Sequence, residues 1–258
     1  MISALRARPV RAVIVIVLLL AVAVGLWLWS RAGSSTPVSP EAALQTLRAA
    51  GGADDAATRP GVPRAGVYTY HQSGSERGGA GPLKLSRDLP AEARLVITPA
   101  AGGYGQELDI SEEHIEGVRV RVDATGSHEV ARRTKVTFVG VGQDDRRALT
   151  PPPLSVPRVL AAGKAWSGRY SAGGLPVTFR SSIVRSEEVE VGGRRMPVWV
   201  IRTVADTGGP HPGTRTDTIW WSPALALPLR WEIDMGIRGV FSLTTRARLT
   251  LASTTPEV

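Results

Sequence analysis

Residues Phe241–Leu251 read FSLTTRARLTL, and their alternation decides the fold class. Phe241, Leu243, Thr245, Ala247, Leu249 and Leu251 alternate with Ser242, Thr244, Arg246, Arg248 and Thr250. A period of two over this length predicts an antiparallel strand with one apolar face and one wet face. The same pattern recurs upstream. Leu229, Trp231 and Ile233 alternate with Arg230, Glu232 and Asp234, and Val118, Val120 and Val122 alternate with Arg119, Arg121 and Asp123. Between such runs stand turn formers: Gly126, Gly173-Gly174, Gly192-Gly193, Gly208-Gly209 and Gly236.

From Gly66 onward this pattern predicts roughly ten strands, near 66–73, 83–87, 94–99, 105–110, 115–124, 128–141, 166–171, 176–191, 195–206, 214–222, 228–235 and 240–252, two of these doubtful. Long one-sided strands joined by tight hairpins curl into a barrel, a half-barrel or a sandwich. Pro151-Pro152-Pro153 and Pro157 interrupt the run near its middle. They mark either a boundary between sheet halves or a crossing loop.

The N-terminal part reads differently. Val13–Trp29, VIVIVLLLAVAVGLWLW, has no charge. As a helix it reaches about 27 Å, just enough to cross a bilayer core. Arg6, Arg8 and Arg11 precede it, and Trp27 and Trp29 stand at its far end, where aromatic rings prefer the headgroup layer. The expectation is a retained transmembrane anchor, single-pass, with a cytoplasmic N-terminus and an extracytoplasmic C-terminal domain. The competing reading is a cleaved secretion signal. Ser39-Pro40-Glu41 then has the chemistry of a helix start, and Pro40–Ala50 is expected to be a short helix stopped by Gly51-Gly52. Gly51–Pro63 reads as a linker. The expected domains are thus 1–30, cytoplasmic tip and anchor; 31–63, juxtamembrane helix and linker; and 64–258, a β-rich extracytoplasmic domain.

Composition narrows the partners. The chain has 258 residues and a net charge of +8, and all but three of its 31 basic residues (Lys84, Lys135 and Lys164) are Arg. Asn is absent, a bias that fits a high-GC bacterial genome. A basic exported surface suits anionic lipid headgroups or acidic polymers, while nucleic acid is disfavoured outside the cell. With no Cys, stability must come from the core rather than from disulfides.

No catalytic constellation appears. The histidines His71, His114, His128 and His211 form no HExxH or His-x-His pair, so no metal site and no cofactor are implied. Glu112-Glu113-His114 and His128-Glu129 read as surface polar groups on adjacent strands. Gly74-Ser75-Glu76 after His71 reads as a loop, and Asp144-Asp145-Arg146-Arg147 as a solvated charged turn. No nucleophile elbow is present, so the chain is not expected to be an enzyme.

The C-terminal block carries a resemblance. It comprises Ala165-Trp166-Ser167-Gly168, Val189–Val191-Gly192-Gly193, Val198–Ile201, Gly213–Thr218 and Ile219–Arg230, the last reading IWWSPALALPLR. It resembles the sheet of LolA- and LppX-like envelope lipid- and lipoprotein-binding proteins. In that class a strand ending in W-x-[SD]-P precedes an apolar turn and a strand beginning LP-[VL]-[RK]. The resemblance implies a half-barrel whose concave apolar face holds acyl chains, without catalytic residues. Such carriers are soluble or lipid-anchored, whereas this chain has the Val13–Trp29 run, and Gly66–Gly140 carries no matching motif.

Trp220 and Trp221 are neighbours on one strand and must face opposite sides. Ile219, Trp221, Leu229, Trp231 and Ile233 on one face would make a broad apolar surface. The expected function is a membrane-anchored binding protein for a lipid, apolar ligand or lipoprotein. Its ligand face would be built from Trp199 or Ile201, Trp221, Leu229, Trp231 and Phe241. The alternative is a non-catalytic module with a filled β-sandwich core that docks an envelope protein.

Overall fold

The computed structural model describes residues 34–52, 59–80, 83–138, 141–209, 212–239 and 241–258; the side chains of Ala80, Leu83, Val141 and Phe241 are also outside the description. One helix, α1 (Pro40–Ala49), precedes fourteen strands. These are β1 (Gly66–Ala80), β2 (Leu83–Asp88), β3 (Glu92–Ala100), β4 (Gly103–Ser111), β5 (His114–Val122), β6 (Gly126–Phe138) and β7 (Val141–Thr150). They continue with β8 (Leu154–Pro157), β9 (Ala165–Ala172), β10 (Leu175–Val191), β11 (Arg194–Thr207), β12 (Gly213–Ser222), β13 (Leu227–Ile237) and β14 (Phe241–Leu251).

The order across the sheet is β14-β13-β12-β11-β10-β9-β7-β6-β5-β4-β3-β1, and β14 pairs back onto β1. Tyr70↔Leu251 through Ala80↔Phe241 form that ladder. The result is a closed antiparallel barrel of twelve strands, with β2 and β8 as side pieces. This corrects the expected half-barrel, and with it the sandwich alternative. The reason is physical: an open sheet leaves the N–H and C=O groups of two edge strands unpaired, and here β1 and β14 satisfy one another.

The expected transmembrane helix and the single-pass localisation drawn from it find no support in the described structure. Among the described residues no helix is long and apolar enough to cross a membrane. The helix that is present, α1, spans 10 residues, about 15 Å and half a hydrocarbon core. The segment Val13–Trp29 itself lies outside the described residues. Helix α1 begins where expected: Ser39 Oγ accepts from the Ala42 N–H at 3.2 Å, capping the first turn. Its buried Ala43 and Leu47 pack on Val67 and Val96, on the outer surface of β1 and β3.

Two strands change partner along their length. On one edge, β1 pairs β3 through His71 and then β2 from Ser75 onward. Likewise β6 pairs β8 at Gly126–His128 and β7 from Ala131 to Phe138. The Thr150-Pro151 bond is cis, and Pro151–Pro153 separate β7 from β8. Neither β7 nor β8 was anticipated as a separate strand, because proline and the Asp144–Arg147 charges read as turn signals. Across the β7–β9 line the ladder shrinks to two positions, Leu149↔Ala172 and Thr150↔Ser171.

The inner face carries Leu229, Ile233, Leu243, Ala247, Leu249 and Leu251, all buried, in one cluster with Tyr68, Tyr70, Leu95, Ile97 and Leu108. The alternation of Leu243, Thr245, Ala247, Leu249 and Leu251 therefore points inward as expected. A second cluster, Val156, Ile183, Ile201, Trp221 and Ala226, with Trp166 and Trp199 packed against it, fills the wall from β8 to β12.

Gly74 lies where β1 passes from β3 to β2, at φ +143°, and a Cβ there would come 2.0 Å from the Arg246 carbonyl oxygen. That oxygen belongs to the backbone of β14 and cannot swing away. Gly74→Ala is therefore expected to cost more than about 2 kcal/mol by strain and ladder disruption. Urea melts of the variant against the parent protein measure it; an unchanged midpoint would refute the close packing of β1 on β14.

Candidate functional site

Twelve strands enclose more space than their inward side chains fill. Eight strands make an interior just filled by side chains, and diameter grows with strand number. An internal cavity of about 500 Å³ results. Its wall is mixed. From β10 to β13 the lining is mainly apolar, with Val177, Phe179, Ile201, Ile219, Trp221, Trp231 and Met235 around the charged Arg215 and Asp217 of β12. From β4 to β7 it carries Gln106, Glu116, Glu129, Arg132, Gln143, Asp145 and Arg147, with Val118, Val120, Val136 and Leu149 among them. A second hollow, of about 650 Å³, lies between Arg59–Ala65 and the β3–β4 and β5–β6 turns, and the two share Tyr104.

Charged side chains run through the barrel interior as a chain of contacts. At one end, Arg87 donates Nε–H to Glu76 Oε2 at 2.9 Å. Its guanidinium carbon stands 4.6 Å over the Phe138 ring, a cation–π contact. Thr245 Oγ1 donates to Glu76 Oε1 at 3.0 Å, and His114 Nδ1 bonds the same oxygen. On its other side, His114 Nε2 is 3.3 Å from Glu116 Oε1. Arg215 Nη1 reaches both Glu116 oxygens at 2.7 Å. The Arg215 Nε and Nη2 grip Asp217 at 2.6 and 2.9 Å, a two-pronged geometry specific to guanidinium. Trp231 Nε1 closes the chain on Asp217 Oδ1 at 2.8 Å. Beside it, Arg132 donates to Glu129 at 2.6 Å, and Arg147 donates to Asp145.

These contacts fix the charge states. Burial alone would push the Glu76 carboxyl up, but His114 and Arg87 outweigh it and hold it near 2. Burial would lower His114, but Glu116 and Glu76 outweigh it and raise it to about 9. Glu116 is held well below the usual carboxylate range by Arg215 and His114 against the cost of burial. At neutral pH His114 is therefore an imidazolium held between two carboxylates. Asp109, 3% exposed, behaves oppositely. Burial first, and Glu107 second, push it up to about 7 against the pull of Arg133 and Lys135.

Of the residues expected to bind ligand, Ile201, Trp221 and Trp231 line the cavity. Trp199 stands opposite Trp221 across the β11–β12 ladder and packs against the second cluster. Leu229, 0% exposed, is sealed in the main core. Phe241 begins β14, and its side chain lies outside the description. The readings of Gly74–Glu76 as a loop and of Asp144–Arg147 as a turn are corrected, because both segments are strand. His114, expected at the surface, is 0% exposed. His114 and His128 pair with opposite ends of the β5–β6 ladder, at Val136 and Arg121. His211 lies outside the described residues.

Sequence reading missed the interior charges, yet a signal was present. Arg215 and Asp217 share their alternation phase with Ile219 and Trp221, while Thr214, Thr216 and Thr218 hold the other. Glu116 is likewise in phase with Val118 and Val120. A charge in step with the apolar residues of a strand marks a polar patch on the inner face.

No protein-family model and no curated protein matches the chain. Among solved structures, the hypothetical lipoprotein YmcC from Escherichia coli (K12) aligns over 73% of this chain and 85% of that one. The identity is 10% and the TM-score 0.34. A likeness of that degree carries no argument about what this chain does. Nothing in these comparisons is specific to the LolA and LppX class.

The charge states set a pH dependence. His114 binds its proton more tightly folded than unfolded, so its contribution is complete below about 6.5 and is lost as pH rises through about 9. Glu76 works the other way, its contribution present above about 4.5 and lost as pH falls toward 2. Asp109 opposes folding increasingly from about 4 to 7 and is constant above that. Between pH 7 and 9 the unfolding free energy should therefore fall, with a limiting slope of about 1.4 kcal/mol per pH unit. Urea melts across that range measure it. The slope should vanish in His114→Gln; its persistence there would assign it elsewhere.

Proposed function

We propose that this protein is a non-catalytic binding protein that holds one apolar or amphiphilic small molecule, a lipid in the broad sense, inside its barrel. The observation that carries this reading is the cavity of about 500 Å³ lined by apolar and aromatic side chains together with charged ones that are paired. Its size falls within the range of about 300–1,000 Å³ typical of sites that take one small ligand. Trp221 and Trp231 offer flat apolar surface, and the Trp231 N–H is already committed to Asp217. The Trp231 ring thus presents no unmet polar group to an apolar guest.

The interior charges serve this reading by being paired. An unpaired charge in such a space would cost several kcal/mol. Each guanidinium on the wall is instead held by a carboxylate, so the polar side is fixed before ligand arrives. Preformed geometry of this kind reduces the ordering cost of binding.

The test uses the whole chain and the apolar dye N-phenyl-1-naphthylamine, which brightens out of water. Saturable binding is expected. Ala205 lines the cavity on β11 with a side chain of one methyl. Ala205→Trp should fill the space and weaken dye binding about tenfold or more, which is about 1.4 kcal/mol. A parent protein that does not bind the dye, or a folded Ala205→Trp that binds it equally well, would overturn the reading.

A further inference from the structure

We propose that the ligand is an electrically neutral amphiphile, its tail against the apolar side chains of β10–β13 and an uncharged hydrogen-bonding headgroup toward the polar side chains of β4–β7. This rests on the ligand-binding reading above and adds the chemical class of the guest.

Arg132, Arg147 and Arg215 face the cavity. Arg132 is held by Glu129, Arg147 by Asp145, and Arg215 by both Glu116 and Asp217. The fourth carboxylate is balanced from behind, because His114 touches Glu116 and Glu76, and Glu76 is closed by Arg87. In this connected interior Arg87, His114, Arg132, Arg147 and Arg215 meet Glu76, Glu116, Glu129, Asp145 and Asp217. The positive and negative groups are equal in number, and the raised affinity of His114 for its proton keeps them equal at neutral pH.

An added phosphate or carboxylate would bring a charge with no partner into this balanced site. Drawing a guanidinium toward it would strip the carboxylate that guanidinium now holds. Both outcomes cost several kcal/mol in a partly dehydrated space. A hydroxyl headgroup meets no such penalty. Gln106 and Gln143 supply amide groups, Thr134 a hydroxyl, and the carboxylate oxygens retain unused lone pairs. Opposite them, Val177, Phe179, Ile219 and Trp221 accept a hydrocarbon chain.

Two lipids with the same tail separate the cases: 1-monooleoylglycerol, which is neutral, and 1-oleoyl-lysophosphatidylglycerol, which is anionic. Each is titrated at pH 7.5 against N-phenyl-1-naphthylamine bound to the full-length protein. The neutral lipid should displace the dye at a concentration lower by about tenfold or more. Glu129→Gln and Asp145→Asn keep side-chain shape while releasing Arg132 and Arg147, respectively. In either variant, checked for folding by thermal melt, the anionic lipid should gain about tenfold and the neutral one change little. Equal or stronger displacement by the anionic lipid from the parent protein overturns the neutral-ligand inference alone. So does failure of both folded variants to gain anionic binding. Absence of dye binding by the parent protein overturns the ligand-binding reading itself, and this inference with it.

Discussion

Everything in the molecule follows from the pairing of its first and last strands. The β1–β14 ladder runs from Tyr70 to Ala80 along a strand of 15 residues. Without it the sheet would end in two rows of unpaired amides, and its inner face would open to water. With it, a sheet becomes a container. Each inward side chain is then judged by the interior of a closed barrel rather than by bulk solvent, which makes the polar side of the cavity energetically consequential. Tyr70 ties the closure to β13, the strand beyond β14, since its hydroxyl donates to the Pro228 carbonyl at 2.6 Å.

A barrel of this girth must place something at its centre, and part of that centre is ionic. Buried ion pairs are poor sources of net stability, because desolvation offsets most of the attraction, yet breaking one costs about 3–5 kcal/mol. The Arg87–Glu76–His114–Glu116–Arg215–Asp217 chain draws its members from β2, β1, β5 and β12. The strands must all be in register before any of its charges is satisfied. A one-residue slip would turn those charges to the other face and leave their partners alone inside. The chain therefore specifies register more than it adds strength.

Much of this was legible in the sequence. The alternation in 228–235 and 240–252 placed Leu229, Trp231, Ile233 and Leu249 on the inner face, and Gly192-Gly193 at the β10–β11 turn. Trp220 and Trp221 face opposite sides, Trp221 toward the cavity and Trp220 donating to Glu187. Closure was not legible, because β1 and β14 lie at opposite ends of the described chain and strand periodicity carries no information about partners. The interior charges were misassigned because alternation separates two faces without saying which is wet. Glu76 follows Gly74, and Asp145 stands among four consecutive charges, so local composition spoke for loops. Inside a ring, composition yields to the phase of the strand.

The two-position ladder between β7 and β9 gives the ring a mechanical asymmetry. The first and last strands meet at the β1–β14 seam, which is laced along the whole of β14. The narrowest stitching lies half-way along the chain, backed by the Trp166 indole donating to the Leu154 carbonyl at 2.9 Å and by Arg147 reaching the Ala172 carbonyl at 3.3 Å. The closing seam and the line of least resistance thus sit on different sides of the ring. Under load such a wall splits along β7 and unrolls into a flat sheet that still has β1 and β14 in its interior. For this ring the natural first and last strands are β9 and β7, so a circular permutant beginning at Ala165 would place its new termini beside the slit and leave the β1–β14 seam uncut.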